Sequence, residues 1–287
     1  MRRAAIDIGT NSCRLLIADL EDGKLQPVHR ELQTTRIGEG VSQTGTIHSA
    51  AMDRTLHCLT HFQENILQYG AVDYKAVATS AVREAENQDL FVARAQQEAG
   101  TKVDIIPGQE EAYLSYLGVK NGLSLGMDPL VVDLGGGSTE FISCGAVFSI
   151  SLPIGAVRAS EGEWTDQDIN QRLQAISSQK EQFDSFPLVF VGGTASSLIA
   201  VKLALEPYDS EKVHGQKLSI QEVSDLYQLL ENTPLPLRRK LPGLQPERAD
   251  IINKGALIIL MIMKFLGKKE MQVSDHDLLQ GMLYEKK

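Results

Sequence analysis

Two periodicities share this chain of 287 residues. In some stretches apolar positions recur every second residue, in others every third or fourth, and the two kinds of stretch alternate. Ala4 to Ile8 is an apolar run broken by Asp7 and closed by Gly9. Arg14 to Leu20 is a second run, and Glu21-Asp22-Gly23-Lys24 links it to a third, Leu25 to Leu32. An Asp-Gly pair between such runs favours a tight hairpin, so the chain is expected to open as an antiparallel meander. From Ser49 to Tyr69 the apolar residues Met52, Leu56, Leu59, Phe62, Ile66 and Leu67 fall on one helix face, with Ser49 as the expected N-cap and Gly70 as the stop. Val72 to Ala78 alternates like a strand. A helix over 88–99, a strand over 103–106 and a helix over 109–120 follow.

Asn121 to Pro129 is rich in helix breakers and reads as a linker. The expected division is therefore 1–122 and 123–287, with the last helix free to pack back on the first lobe. After the linker, Leu130 to Leu134 and Glu140 to Ser143 read as strands around a glycine turn. A helix is expected over 166–183, a strand over 188–191 and a helix over 194–205. The remainder reads as helical: 220–231, 246–266 and 277–284. Strands alternating with helices predict an α/β protein.

One short pattern occurs twice. Ala5-Ile6-Asp7-Ile8-Gly9-Thr10-Asn11-Ser12 resembles Val131-Val132-Asp133-Leu134-Gly135-Gly136-Gly137-Ser138. Each copy opens one half of the chain, which points to a duplicated, two-lobed molecule.

Charge narrows the chemistry. The net charge is −9, the opposite of what a general nucleic-acid binder carries, so no nucleic-acid partner is expected. An anionic ligand would need local positive groups or a metal. Three cysteines, far apart, fit a reducing cytoplasm better than a disulfide framework. Met1-Arg2-Arg3 runs straight into Ala4-Ala5-Ile6-Asp7, which does not read as a secretory leader. The most apolar segment, Gly255 to Met263, is far shorter than the ~20 residues that span a bilayer. No membrane association is expected. The same stretch leaves open a core role or a homodimer interface.

The turn Gly135-Gly136-Gly137-Ser138-Thr139 carries the clearest chemistry. Glycines let backbone N–H groups approach a bulky oxyanion, and Ser138 and Thr139 add hydroxyls. Asp133 stands just before this turn. A carboxylate beside a phosphate is repulsive unless a cation lies between them, and Mg²⁺ takes one or two carboxylates plus phosphate and water oxygens. Asn11 and Ser12 offer donors in the first copy. Phe190-Val191-Gly192-Gly193-Thr194 is a third candidate, a strand meeting a glycine turn and then a helix. Close strand-to-helix packing explains it equally well. Glu110 and Glu111 open a helix, where acids favour the dipole, yet Glu111 in a cleft would serve as a general base. Arg83 follows a strand and reads either as a neutraliser of transition-state charge or as a solvated surface residue. His57 and His61 read as ordinary surface histidines, Asp275-His276-Asp277 as a capping loop, and Leu237-Arg238-Arg239-Lys240 as a solvated basic face.

Taken together, these pieces resemble the exopolyphosphatase / guanosine pentaphosphate phosphatase family of the actin–hexokinase–Hsp70 superfamily. The resemblance runs along the chain through 5–12 with Arg14, 35–40, 78–85, Gly108 with Glu110-Glu111-Ala112, 132–140, 191–195, 212–215, 241–243, 247–250 and 273–275. It implies two ribonuclease H-like lobes with an interlobe cleft. It implies Mg²⁺-dependent removal of the terminal phosphate of inorganic polyphosphate or of the 5′-terminal phosphate of guanosine pentaphosphate. By the motif match Glu111 is the water-activating acid and Glu140 a second essential acid near metal and water. Gly135, Gly136, Gly137, Ser138 and Thr139 would cradle phosphate, with Asn11, Ser12, Arg83 and Gly193 adding contacts. Asp7, Asp133 and Glu140 would hold the metal. Departures stand at Cys13, Gln109, Tyr113 and Leu279, and longer members carry a further helical region after the part matched here. Two other readings stay open: an ATP-dependent small-molecule kinase of the same superfamily, and a non-catalytic phosphate- or nucleotide-dependent interaction protein.

Overall fold

The structure, a computed structural model, describes residues 1–21, 23–123, 125–143 and 148–285. Asp22 of the expected first hairpin turn, Ser124 of the expected linker, and Cys144 lie outside these. The chain divides into two compact units, Met1–Gly118 with Leu278–Lys287, and Val119–Asp277.

The first unit is built on a five-stranded sheet. Strands β1 (Arg2–Ile8), β2 (Cys13–Glu21) and β3 (Lys24–Gln33) form the expected antiparallel meander. β4 (Tyr74–Ala78) and β5 (Asp104–Ile105) then add parallel to β1, giving the order β3-β2-β1-β4-β5. Alternation along β1 separates two cores. Ala4, Ile6 and Ile8 face one side with Leu59 and Phe62 of α1 (Ser49–Gln68) and Phe91 of α2 (Gln88–Ala99). Ala5 faces the other, with Leu114 of α3 (Gly108–Gly122) and Met282 of the final helix, Leu278–Tyr284. α3 runs through Asn121 and Gly122, so the breaker-rich stretch begins inside a helix. Ser49 is the first helical residue of α1 rather than its cap, and the extended residue before it is His48.

The second unit repeats the plan. β6 (Leu130–Leu134), β7 (Thr139–Ser143) and β8 (Phe148–Leu152) are antiparallel neighbours. β9 (Leu188–Val191) lies parallel to β6, β11 (Glu270–Val273) parallel to β9, and β10 (Lys217–Ser219) antiparallel at the edge. The order β10-β11-β9-β6-β7-β8 is the first sheet's order with one strand added. Each unit is thus ribonuclease H-like.

Four helices matter here: α4 (Ala156–Glu161), α5 (Asp166–Leu173), α6 (Gly193–Lys202) and α7 (Ile252–Leu266). The apolar stretch 256–263 is core: Ile258, Ile259 and Ile262 of α7 are fully buried with Phe190 and Leu198.

Three sequence expectations are corrected. The last third is not wholly helical, because β10 and β11 lie within it. The single helix over 166–183 ends at Leu173 and continues as 3₁₀ turns, with Ile176 leaving helical geometry at φ −110°. Helix α7 begins at Ile252, after a short 3₁₀ turn, Pro246–Arg248. Among the described residues no helix is long and apolar enough to cross a membrane.

Candidate active site

In α/β sheets, ligands bind beyond the carboxyl ends of the parallel strands, where the loops converge. In the first unit those loops carry Gly9 to Ser12 after β1, Thr79 to Arg83 after β4, and Ile106 to Glu111 after β5. In the second they carry Gly135 to Ser138 after β6, Gly192 and Gly193 after β9, and Ser274 to Asp277 after β11.

The β1–β2 turn is closed by the Gly9 N–H donating to the Ser12 carbonyl at 3.1 Å. Two more carbonyls of this turn are pinned from outside it. Thr10 O accepts from the Gly38 N–H and Asn11 O from the Arg36 N–H, both at 2.9 Å. A trans peptide points its N–H opposite its C=O, so the N–H groups of Asn11 and Ser12 face away from this bracing loop. Gly38 is required there, since a Cβ would overlap the Thr10 side chain and crowd Ala81. Arg36 holds its position with φ 52°, a left-handed conformation that a non-glycine residue adopts only where its surroundings enforce it. Asp7 pairs in register with Arg14, whose Nη2 donates to Asp7 Oδ2 at 2.6 Å and Nε at 3.0 Å. The buried carboxylate of this hairpin therefore has its counter-charge built in.

The β6–β7 turn repeats the closure: Gly135 N–H to Ser138 O, 3.0 Å. Here three carbonyls are pinned, all by the first turn of α4. Gly135 O accepts from Ala156 N–H at 3.1 Å, and Gly136 O from Val157 and Arg158 N–H at 2.9 and 3.1 Å. Gly137 O accepts from Arg158 Nε at 2.8 Å. The N–H groups of Gly136, Gly137 and Ser138 are consequently turned to the side opposite α4. Three successive N–H groups on one side form a nest for an anion. Gly155 lets α4 approach, because a Cβ there would overlap the Gly136 carbonyl. The residue in register with Asp133 is Glu140, 1% exposed, whose Oε1 accepts from Ser151 Oγ at 2.7 Å. Like charges directly opposite on a sheet face repel, so this acid pair suits a cation. Among the described residues there is no group of three or more His, Cys, Asp or Glu that could hold a metal ion. Two carboxylates are what Mg²⁺ needs when phosphate and water supply the other oxygens.

Elsewhere in the first unit, Arg83 Nη1 donates to Glu111 Oε2 and to the Ile106 carbonyl, both at 2.9 Å. Glu111 is 8% exposed. In the second unit the start of α6 lies against two site groups. A Cβ on Gly192 would stand 3.4 Å from Asp133 Oδ1, and one on Gly193 would overlap the Arg248 guanidinium.

The profile of the Ppx/GppA phosphatase family matches residues 16–287. The chain belongs to the Ppx/GppA phosphatase family. It is 35% identical to exopolyphosphatase 2 of Mycobacterium tuberculosis, over 98% of this chain and 97% of that protein. It is 33% identical to the bifunctional 3-dehydroquinate synthase/phosphatase of Fusobacterium nucleatum, spanning 99% of this chain but 46% of that protein. The guanosine-5′-triphosphate,3′-diphosphate pyrophosphatase of Photobacterium profundum is 30% identical, over 98% of this chain and 58% of its own length. Among solved structures, the Aquifex aeolicus PPX-GPPA enzyme superposes with a TM-score of 0.81 at 31% identity, covering 100% and 99% of the two chains. The Cytophaga hutchinsonii exopolyphosphatase superposes with a TM-score of 0.90 at 25% identity, covering 99% and 97%.

In this Ppx/GppA chain the residues singled out from sequence form two groups, one per unit. Asp7, Asn11, Ser12, Arg83 and Glu111 stand at the carboxyl end of the first sheet. Asp133, Gly135, Gly136, Gly137, Ser138, Glu140 and Gly193 stand at that of the second. Thr139 points inward, fully buried, and its hydroxyl donates to the Ile154 carbonyl at 2.6 Å. One bland reading changes and another gains detail. Arg238 is buried rather than solvated and donates to the Thr233 and Ala249 carbonyls, and burial pushes its pKa down. Asp275 accepts from Ser196, Tyr208 and Ser210 hydroxyls, linking α6 to the segment after it, while Asp277 directly precedes the last helix. Sequence reasoning passed over Arg158, and it counted Arg14 and Arg248 among the family motifs without giving either a role. A signal for Arg14 existed: it stands as far after the turn as Asp7 stands before it.

Proposed function

We infer that this chain hydrolyses a terminal phosphoanhydride bond, releasing inorganic phosphate from polyphosphate or from the 5′ end of guanosine pentaphosphate. The observation that carries the reading is the nest: three glycine carbonyls tied to α4 leave three N–H groups and the Ser138 hydroxyl for one tetrahedral oxyanion. Phosphoryl transfer depends chiefly on positioning and on neutralising charge, and this turn does both without moving. The N–H groups of Asn11 and Ser12 supply a second, smaller set of donors.

Glu111 is the group assigned to take the proton from the attacking water. Its Oε2 is fixed by Arg83, which therefore acts on the water through Glu111's orientation. Asp133 and Glu140 would hold Mg²⁺, which supplies positive charge to the phosphate oxygens when bound. Asp7 is given a different part, because its carboxylate is already matched by Arg14. The family relatives support the reading: one named for polyphosphate and one for guanosine pentaphosphate each align with 98% of this chain.

The test is a side-by-side assay of phosphate release from long polyphosphate, short polyphosphate and guanosine pentaphosphate, each with and without Mg²⁺. Wild-type protein is expected to release phosphate from at least one of them without any acceptor. Glu111→Ala should lose roughly 10²–10⁴-fold, the usual worth of a general base, measured at a temperature where the variant is folded by circular dichroism. Turnover near wild type in that variant would remove Glu111 from the mechanism. Phosphate passing to an added acceptor, with none released to water, would make the protein a kinase instead.

A further inference from the structure

The three pinned carbonyls of the glycine turn are not held in the same way. Gly135 O and Gly136 O are held by backbone N–H groups of α4. Almost any residues at 156 and 157 would supply those. Gly137 O is held by a side chain, Arg158 Nε, at 2.8 Å. The peptide that this bond fixes joins Gly137 to Ser138. With glycine on one side, rotating that peptide meets little steric resistance. Rotation would turn the Ser138 N–H out of the nest, and among the described residues it is the guanidinium bond that opposes it from the carbonyl side.

We propose that Arg158 is a positioning residue for phosphate binding: its Nε holds the Gly137 carbonyl so that the Ser138 N–H faces the oxyanion. The inference rests on the phosphate-nest reading above and adds to it the residue that completes the third donor. Two properties make arginine the suitable side chain. Its Nε–H is directional and lies in a rigid plane, whereas an ammonium rotates freely. A positive donor on the carbonyl also polarises the peptide, which strengthens the N–H on its far side. The same guanidinium belongs to the residue whose own N–H bonds Gly136 O, so one residue sets two of the three peptides.

The experiment reads the Ser138 amide itself. Backbone ¹⁵N–¹H spectra of the full chain are recorded while inorganic pyrophosphate is added, for wild type, Arg158→Ala and Arg158→Lys. In wild type the Gly136, Gly137 and Ser138 amides are expected to move downfield together. In Arg158→Ala the Gly136 amide should still move while the Ser138 response is lost. kcat/KM for phosphate release should fall at least tenfold. Removing a donor outright from an oxyanion site costs roughly 10²–10³ in kcat, and here the donor is misaimed rather than deleted. Added guanidinium at millimolar concentration should restore both the Ser138 response and turnover in Arg158→Ala, in a dose-dependent way. Arg158→Lys should sit between the two. A role confined to folding predicts neither selective loss at one amide nor rescue by guanidinium. An unchanged Ser138 response in Arg158→Ala overturns the proposal and leaves the nest standing. If no amide of the turn responds in wild type, the nest itself is wrong, and Arg158 loses its role with it.

Discussion

The two units carry the same hairpin with opposite electrostatics. Both turns close with a glycine N–H on a serine carbonyl, Gly9 to Ser12 and Gly135 to Ser138. Both are braced from outside by the segment that follows the third strand, Arg36–Gly38 in one case and Gly155–Arg158 in the other. Both brace segments include a glycine at the point of closest approach, Gly38 and Gly155. The aspartate stands at the same place in each. Across from it, the first hairpin has Arg14 and the second has Glu140. One register position thus decides whether a base or a second acid faces the aspartate across the hairpin. The backbone brace differs in degree as well: two peptides are fixed in the first turn and three in the second. The lesson is a division of labour within a repeated element. The second hairpin carries the glycine turn and acid pair proposed for the phosphoryl group and its cation, and the first carries an ion pair and fewer braced peptides.

That contrast can be broken deliberately. The largest effect on stability is expected from Arg14→Ala, which leaves Asp7 buried without its counter-charge. Removing one partner of a fully buried pair costs ~3–5 kcal/mol. Arg14 is 24% exposed and Asp7 7%, so about 2–3 kcal/mol is expected, read as a lower denaturation midpoint at constant m-value. A loss under about 0.5 kcal/mol would mean that the first hairpin does not depend on its ion pair. A smaller but more discriminating comparison sets Gly155→Ala against Gly38→Ala. The new methyl at 155 meets the Gly136–Gly137 backbone, whereas at 38 it meets chiefly a threonine side chain. Gly155→Ala should therefore lose about tenfold more phosphate-releasing activity than Gly38→Ala. Equal losses would show that the brace behind the second turn has no special role.

Much of this was legible in the sequence, for reasons that mark the limits of reading it. The meander and the long helix α1 follow from period-two and period-3.6 patterns with enough residues to register. β10 and β11, three and four residues long, are too short to show a period, and their place in the sheet comes from tertiary pairing. The six-residue α4 was missed for the same reason, although it braces the glycine turn. The glycines and acids proposed for the site stand out in the sequence because their chemistry is written in their types and order. Charge pairing does not, since it depends on which residue faces which across a hairpin. Asp7 and Asp133 look alike in one dimension, and only register separates them. Arg158 left no local signal, because its bond reaches back to a turn that precedes it by two strands.

The central claim is that the second hairpin binds phosphate together with a cation held by its acid pair. Its most direct test is a Mg²⁺ titration of phosphate release for wild type and Glu140→Gln, with the metal first removed by chelation. The account predicts that wild type is inactive without the metal, recovers on its return, and that Glu140→Gln needs at least tenfold more Mg²⁺ for half-maximal rate. Full wild-type turnover in excess chelator, or identical Mg²⁺ curves for the two proteins, would contradict it.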